Sequence, residues 1–333
     1  RGLGDVYKRQ TYFDPKIVVI DETTTALSQE GREELYKHMN RIRESGNTVI
    51  FISHDLPEIL DKSDTITILR DGVYIDTVKS ADVTEDDLKR LMVGREVTGD
   101  YYRADYGEKV SDEVVLSVKD VTVPGLIEDV SFDLHKGEIL GFGGLSESGM
   151  HEIGKAIFGA SYDRTGKVVL ADGTEINDIP TAIKHSIAYT SKDRDNESVV
   201  LNQSIGDNIC LPSLDELAGK THMLSDKKLK EFSNKFAKQM SVKMVNVDQF
   251  VSDLSGGNKQ KVVLARWIGK DSDIVVLDSP TRGIDIKVKQ DIYQLMNQMR
   301  KNGKSIIMIS EELMELIGMC DRIIICLLYT SPS

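Results

Sequence analysis

The residues of this chain that could do chemistry sit at two acidic strand ends, in a glycine loop and in a serine–glycine turn. Ile17–Ile20 is apolar and runs into Asp21-Glu22; Ile274–Leu277 is apolar and runs into Asp278-Ser279. A carboxylate at the carboxyl end of a buried parallel strand is well placed to hold a metal ion, which makes Asp21 and Asp278 candidate metal residues. Glu22, directly after Asp21, can act as a general base toward water, and Ser279 cannot. His54 closes the next strand and can hydrogen-bond a phosphate, whereas Glu311 at the matching later position would repel one. Gly144-Leu145-Ser146-Glu147-Ser148-Gly149 has the G-x-x-x-x-G spacing of a phosphate loop, with Gly144, Ser148 and Gly149 as candidate contacts. Met150 follows where a lysine would meet the phosphates, and His151 where a serine or threonine would meet Mg2+. The loop therefore reads either as a nucleotide site lined also by Met150 and His151, or as a retained turn. Ser255-Gly256-Gly257-Asn258 precedes a helical stretch and offers backbone N–H groups and a hydroxyl to an anion.

The elements that must position these groups are visible as a repeat. Ile17–Ile68 aligns with Ile274–Ile325 without gaps, and roughly a third of the positions are identical. Each copy reads as a buried strand, a loop, an amphipathic helix, a second strand and a further helix. Leu35, Met39 and Ile42 form the apolar face of the first helix, and Ile292, Leu295 and Met299 that of the second, with Gly46 and Gly303 as stops. Such alternation implies an α/β fold with a parallel sheet covered on both faces. Between the copies, Asp82–Gly107 is charged, helix-like at first and then loop-like. Val114–Val118 and Val130–Leu134 read as strands of a small antiparallel sheet. Ile139–Phe142 reads as the strand that feeds the glycine loop, and a helix follows through Ile157.

A formal net charge of −12 over 333 residues argues against a general nucleic-acid surface and for a soluble acidic protein. The cysteines lack metal-ligand spacing, which suggests a reducing compartment. No apolar run approaches the length of a membrane span. The ends are unusual. Arg1–Gln10 can be written as a DNA whose reverse complement encodes Cys326–Ser333, and that DNA resembles a sequencing-library transposase adapter. Residues 1–10 and 326–333 are therefore expected to be adapter-derived and the remainder to be a fragment. The expected division is 11–95 for the C-terminal part of a first domain, 96–113 for a linker and 114–325 for a second domain.

Leu254–Gln260 with Ala265-Arg266-Trp267, Pro280–Asp285, Ser310–Leu313 and Leu91–Glu96 resemble the second signature region, the second D-loop, the histidine-less switch and the linker of one family. That family is the tandem ATP-binding subunit of bacterial carbohydrate ABC importers, the ribose/galactose/xylose group. The resemblance covers residues 11–325. It implies duplicated P-loop-type ABC ATPase domains, each with a parallel core sheet, a small antiparallel β-subdomain and a helical subdomain. It implies ATP and Mg2+ as cofactors, integral-membrane permease subunits as partners and, indirectly, a solute-binding protein. It implies no nucleic-acid partner and a peripheral place on the cytoplasmic face of the cell membrane. In such a family Asp21, Glu22 and His54 would work with Ser255, Gly256, Gly257 and Asn258. A second site would combine Gly144–His151, Tyr189–Arg194 and Asp278-Ser279. Thr23 for proline, Ser279 for glutamate and Lys192-Asp193-Arg194 for Glu-Asp-Arg depart from the family pattern. One competent and one degenerate ATP site are expected, with the chain alone inactive as an ATPase. A soluble ABC ATPase, a non-catalytic nucleotide-binding module, or import of a nucleoside or another small polar solute are the alternatives.

Overall fold

The computed structural model describes residues 15–21, 27, 29–53, 55–70, 73–93, 102–103, 110–145, 147–284 and 286–327. The chain divides into two compact units, Arg1–Gly99 and Asp100–Ser333.

The first unit contains β1 (Ile17–Asp21), α1 (Gln29–Glu44), β2 (Thr48–Ile52), α2 (Leu56–Lys62), β3 (Thr65–Arg70), β4 (Val73–Lys79) and α3 (Glu85–Val93). β1 and β2 pair in parallel, with Ile17 opposite Thr48 and Asp21 opposite Ile52. β3 and β4 form an antiparallel hairpin. Leu35 and Met39 of α1 bury against Ile20, as their spacing requires, while Ile42 is half-buried at the edge. Gly46 has φ +82, a left-handed conformation that suits glycine just past a helix end. Asp55 caps α2 by accepting from Glu58 N at 3.1 Å, and Pro57 sits in the first turn where no N–H is needed.

The second unit opens with β5 (Val114–Val123), β6 (Ile127–His135), β7 (Ile139–Gly144) and α4 (Met150–Ile157). There follow β8 (Thr165–Leu170), α5 (Ile179–Lys184), β9 (Ile187–Thr190), α6 (Ile205–Cys210), α7 (Leu214–Ala218), α8 (Asp226–Gln239) and α9 (Gly256–Lys270). It closes with β10 (Ile274–Asp278), α10 (Ile286–Lys301), β11 (Ser305–Ile309), α11 (Leu313–Met319) and β12 (Arg322–Cys326). The main sheet has the order β12-β7-β11-β10-β9 and is parallel throughout. Every residue of β10 and β11 is buried, which is why these strands are apolar runs rather than alternating patterns. A second sheet, β6-β5-β8, is antiparallel. α6, α8 and α9 pack together as a helical layer.

β5 and β6 run further than the apolar stretches that announced them. The register of their pairing shifts between Val118 and Val121, and Asp120 and Asp129 take φ +50. Bulges of this kind let a strand carry polar residues across a break in the alternation. β12 ends at Cys326, which pairs with Gly144, so the first residue of the stretch expected to be adapter-derived lies in the sheet.

β1, α1, β2 and α2 start and stop 257 positions before β10, α10, β11 and α11 (274 − 17, 286 − 29, 305 − 48, 313 − 56). The strand register is also the same: Ile17 opposes Thr48 as Ile274 opposes Ser305.

Tyr102 and Arg103, from the stretch expected as a linker, are fixed into the second unit. The Arg103 guanidinium is 1% exposed, lies 2.8 Å from Asp321 Oδ1 and donates to Met319 O at 3.2 Å. The Tyr102 ring stacks tilted on Tyr293 at 5.3 Å. Among the described residues no helix is long and apolar enough to cross a membrane.

Candidate functional site

β7, between β12 and the central β11, delivers the glycine loop, and β10, on the other side of β11, delivers Asp278. Both end at the carboxyl edge, where open α/β sheets bind ligands. Gly149 has φ +79, and a Cβ there would lie 2.3 Å from Leu126 O, so glycine alone fits. Ser148 is 7% exposed, and its Oγ finds no hydrogen-bond partner among the described residues. A buried orphan hydroxyl in a glycine loop is consistent with an absent anionic partner. Met150 is wholly buried in the hydrophobic core. It does not line the loop: its flexible thioether fills core space where a lysine would have reached outward.

His151 turns toward the strand end. Its Nδ1 lies 2.7 Å from Asp278 Oδ1, and Asp278 is 1% exposed. Ser279 Oγ donates to the same oxygen at 3.2 Å, and Tyr189 Oη approaches Oδ2 at 3.5 Å. On the other side of the ring, Nε2 lies 3.1 Å from Lys192 Nζ and 3.4 Å from Glu311 Oε1. As neutral imidazole it accepts from the ammonium; as imidazolium it donates to Glu311. Lys192 Nζ also donates to Glu311 Oε1 at 2.5 Å. Burial works against a charged His151, but the bonds to Asp278 and Glu311 outweigh it and hold the imidazole above its usual range. Burial, and after it the charge of Asp278, push the Tyr189 phenol upward.

Ser255 caps α9, and its side chain accepts from Asn258 Nδ2 at 2.9 Å, while Asn258 Oδ1 receives Lys243 N at 2.8 Å. Gly256 and Gly257 open the helix, with the Arg194 guanidinium close to Gly256. α9 is held by a buried arginine: Arg266 donates to Asn208 O and Ser198 O, each at 2.6 Å.

The structure thus brings His151 to Asp278, seats Lys192 of the expected Tyr189–Arg194 stretch beside them and adds Glu311 to the group. Asp21 is exposed at the end of β1. Glu22, Thr23, His54, Ser146 and Asp285 lie outside the described residues. The meeting of Tyr189–Arg194 with Gly144–His151 was expected, and the structure narrows it to Lys192 on His151. The entry of Glu311 into the group was not foreseen, because residues 119 apart in sequence meet only through the loops after β9 and β11. A second omission is Glu315, which receives Tyr293 Oη at 2.8 Å and also the Ser310 and Thr281 hydroxyls. Its signal was available: Tyr36, Ser53 and Glu58 of the first copy match Tyr293, Ser310 and Glu315 of the second.

Residues 127–282 match the family described as ABC transporter. The match lies within the second unit. Among known proteins, the chain is 42% identical over 315 residues to the Ribose import ATP-binding protein RbsA of Lacticaseibacillus paracasei, covering 93% of this chain and 61% of that protein. It is 41% identical over 316 residues to the Xylose import ATP-binding protein XylG of Thermoanaerobacter pseudethanolicus, covering 93% of this chain and 62% of that protein. The chain therefore spans somewhat less than two thirds of the curated relatives it matches. A solved dimeric ATP-binding cassette in a post-hydrolysis state, bound to ADP and Pi, superposes with a TM-score of 0.55 at 19% identity. That match covers 63% of this chain and 94% of the solved one, and it supports the fold.

An ABC cassette implies nucleotide with Mg2+, and the residues of this one fit the two unequally. The orphan Ser148 Oγ and the glycine-only turn fit a phosphate. Asp278 does not fit Mg2+. Its oxygen nearest the loop already receives His151 and Ser279, and Mg2+ needs near-octahedral oxygen donors at about 2.0–2.1 Å. Among the described residues no group of three or more His, Cys, Asp or Glu side chains is arranged to hold a metal ion.

Proposed function

We propose that this chain is part of the ATP-binding subunit of an ABC importer that takes up a monosaccharide of the ribose or xylose kind. The observation that carries this reading is identity near 42% running through 93% of the chain, both units included, to a protein named for ribose import. We infer further that the first unit is the C-terminal part of another cassette. The support is the shared element bounds and strand register at a fixed offset from the second unit. Permease subunits would be the direct partners, a solute-binding protein the indirect one, and the cytoplasmic membrane face the site of work.

The two cassettes would divide the labour. Asp21 is an exposed carboxylate at a strand's carboxyl end, which suits a hard cation reached through water. Mg2+ on ATP would neutralise phosphate charge there. Glu22 would take the proton of the attacking water, and His54 would donate to the terminal phosphate. Ser255, Gly256, Gly257 and Asn258 would present N–H and hydroxyl donors to the nucleotide of a facing cassette. Ser279 has no basic group to offer a water, and Asp278 is engaged by His151, so the second cassette would not turn over.

The test is ATP-driven uptake of labelled ribose and xylose into vesicles carrying the full-length protein with its permease. Uptake of one of these sugars, abolished together with phosphate release by Glu22→Gln, is expected. Failure to associate with a membrane permease, or uptake untouched by Glu22→Gln, would overturn the reading.

A further inference from the structure

Three positions of the second cassette differ from what a phosphate loop, the first copy or the family pattern would carry, and all three touch one another. His151 stands in the place of a magnesium-binding hydroxyl, Lys192 in the place of an acid, and Glu311 in the place of a histidine. Their side chains form a chain of contacts: Glu311 Oε1 to Lys192 Nζ at 2.5 Å, Lys192 Nζ to His151 Nε2 at 3.1 Å, and His151 Nδ1 to Asp278 Oδ1 at 2.7 Å. A positive charge has appeared at 192 while the one expected at 150 is lost to the core, where Met150 is fully buried. The four side chains come from the first turn of α4, the loops after β9 and β11, and the end of β10, so no single local change built the group.

We propose that the second cassette holds a nucleoside polyphosphate without a divalent cation, Lys192 and His151 supplying at Asp278 and Glu311 the positive charge that Mg2+ would otherwise bring. This rests on the reading of the second unit as a nucleotide-binding cassette and specifies how it binds. Both forms of the ring serve: a neutral imidazole accepts from Lys192 at Nε2 and donates Nδ1–H to Asp278, relaying the ammonium charge, and an imidazolium donates to Asp278 and Glu311 and brings the charge itself. The ammonium lies against His151, two residues past a glycine loop whose Ser148 Oγ is buried and unsatisfied. A phosphate there would gain a hydroxyl donor and a nearby cation. A dication would have to strip His151 from a carboxylate that is 1% exposed, and would meet an ammonium already bound to Glu311.

The measurement is binding of a fluorescent ADP or ATP analogue to the purified chain, in excess magnesium and in EDTA, for wild type, Lys192→Ala and Lys192→Arg. Circular dichroism melts check that each variant is folded. Wild type should bind equally in both buffers, within about threefold. Lys192→Ala should lose at least about tenfold in EDTA, and Lys192→Arg should recover most of it, since a tenfold change is about 1.4 kcal/mol of lost charge–charge interaction. Tightening of wild type by about tenfold or more on adding magnesium would overturn the proposal. So would Lys192→Ala binding as wild type does in EDTA, or no binding by wild type in either buffer. None of these results touches hydrolysis at Glu22, which is read separately in the full-length protein.

Discussion

Tyr293 Oη donates to Glu315 Oε1 at 2.8 Å, joining α10 to the first turn of α11 inside the second unit. Glu315 is 1% exposed, and the Thr281 and Ser310 hydroxyls also donate to it. One carboxylate thus ties the turn after β10 to the end of β11. The first unit carries the same arrangement, with Tyr36 and Ser53 donating to Glu58. Repetition of the same three residue types in both units argues for a positioning role rather than chance packing.

Glu315→Ala is expected to lower the unfolding free energy of the second unit by about 3 kcal/mol, because three buried hydroxyls lose their acceptor. Urea denaturation of wild type and variant measures it. Burial raises the Glu315 carboxyl above its ordinary value, the Ser310 and Thr281 hydrogen bonds opposing it only in part. A carboxyl raised in the folded state takes up its proton more readily there than in the unfolded chain. Its contribution is therefore fully present below the unfolded value and is lost as pH rises through the folded one. The stability of wild type relative to Glu315→Gln should grow as pH falls through the raised folded-state value toward the ordinary glutamate range.

The linker anchor gives a second expectation. A Cβ on Gly318 would lie 2.3 Å from the Tyr102 ring. Gly318→Ala should therefore expel Tyr102 from its place beside Tyr293 and speed proteolytic cleavage near residues 100–110. Arg103→Ala should do the same and cost about 3 kcal/mol, because it removes a buried side chain and takes from the largely covered Asp321 its closest cation, leaving Arg300 at 3.5 Å. Limited proteolysis with mass mapping separates these outcomes from wild type.

The thiols should react in a fixed order. Burial pushes Cys210 up to about 11 and raises Cys320 as well, while Cys326 is only half-buried. At pH 8 Cys210 is then about a thousandfold short of full ionisation, so alkylation should be slow and should quicken with pH. Intact-mass analysis after iodoacetamide treatment is expected to show Cys326 modified before Cys210 and Cys320.

Much of this was legible in the sequence because burial writes itself into residue type. Ile274–Leu277 and Ile306–Ile309 are apolar because they are central parallel strands, and Leu35 and Met39 recur at helical spacing because that face is covered. The glycine loop and Asp278 were readable from spacing alone. What was not legible depends on side chains meeting across the fold. Nothing local says that Glu311 would reach Lys192, that Met150 would enter the core, or that Arg103 would be drawn into an ion pair with Asp321. The length of β5 was missed because its bulge interrupts the alternation that marks a strand.

The central claim is that hydrolysis belongs to the first copy and has been closed off in the second. It is tested most directly by phosphate release from the full-length protein carrying Glu22→Gln, with and without Ser279→Glu. Both variants should fall below about 1% of wild type, since a glutamate at 279 would still stand beside an Asp278 clasped by His151. Hydrolysis above about half of wild type in Glu22→Gln alone, or its return on adding Ser279→Glu, would contradict it.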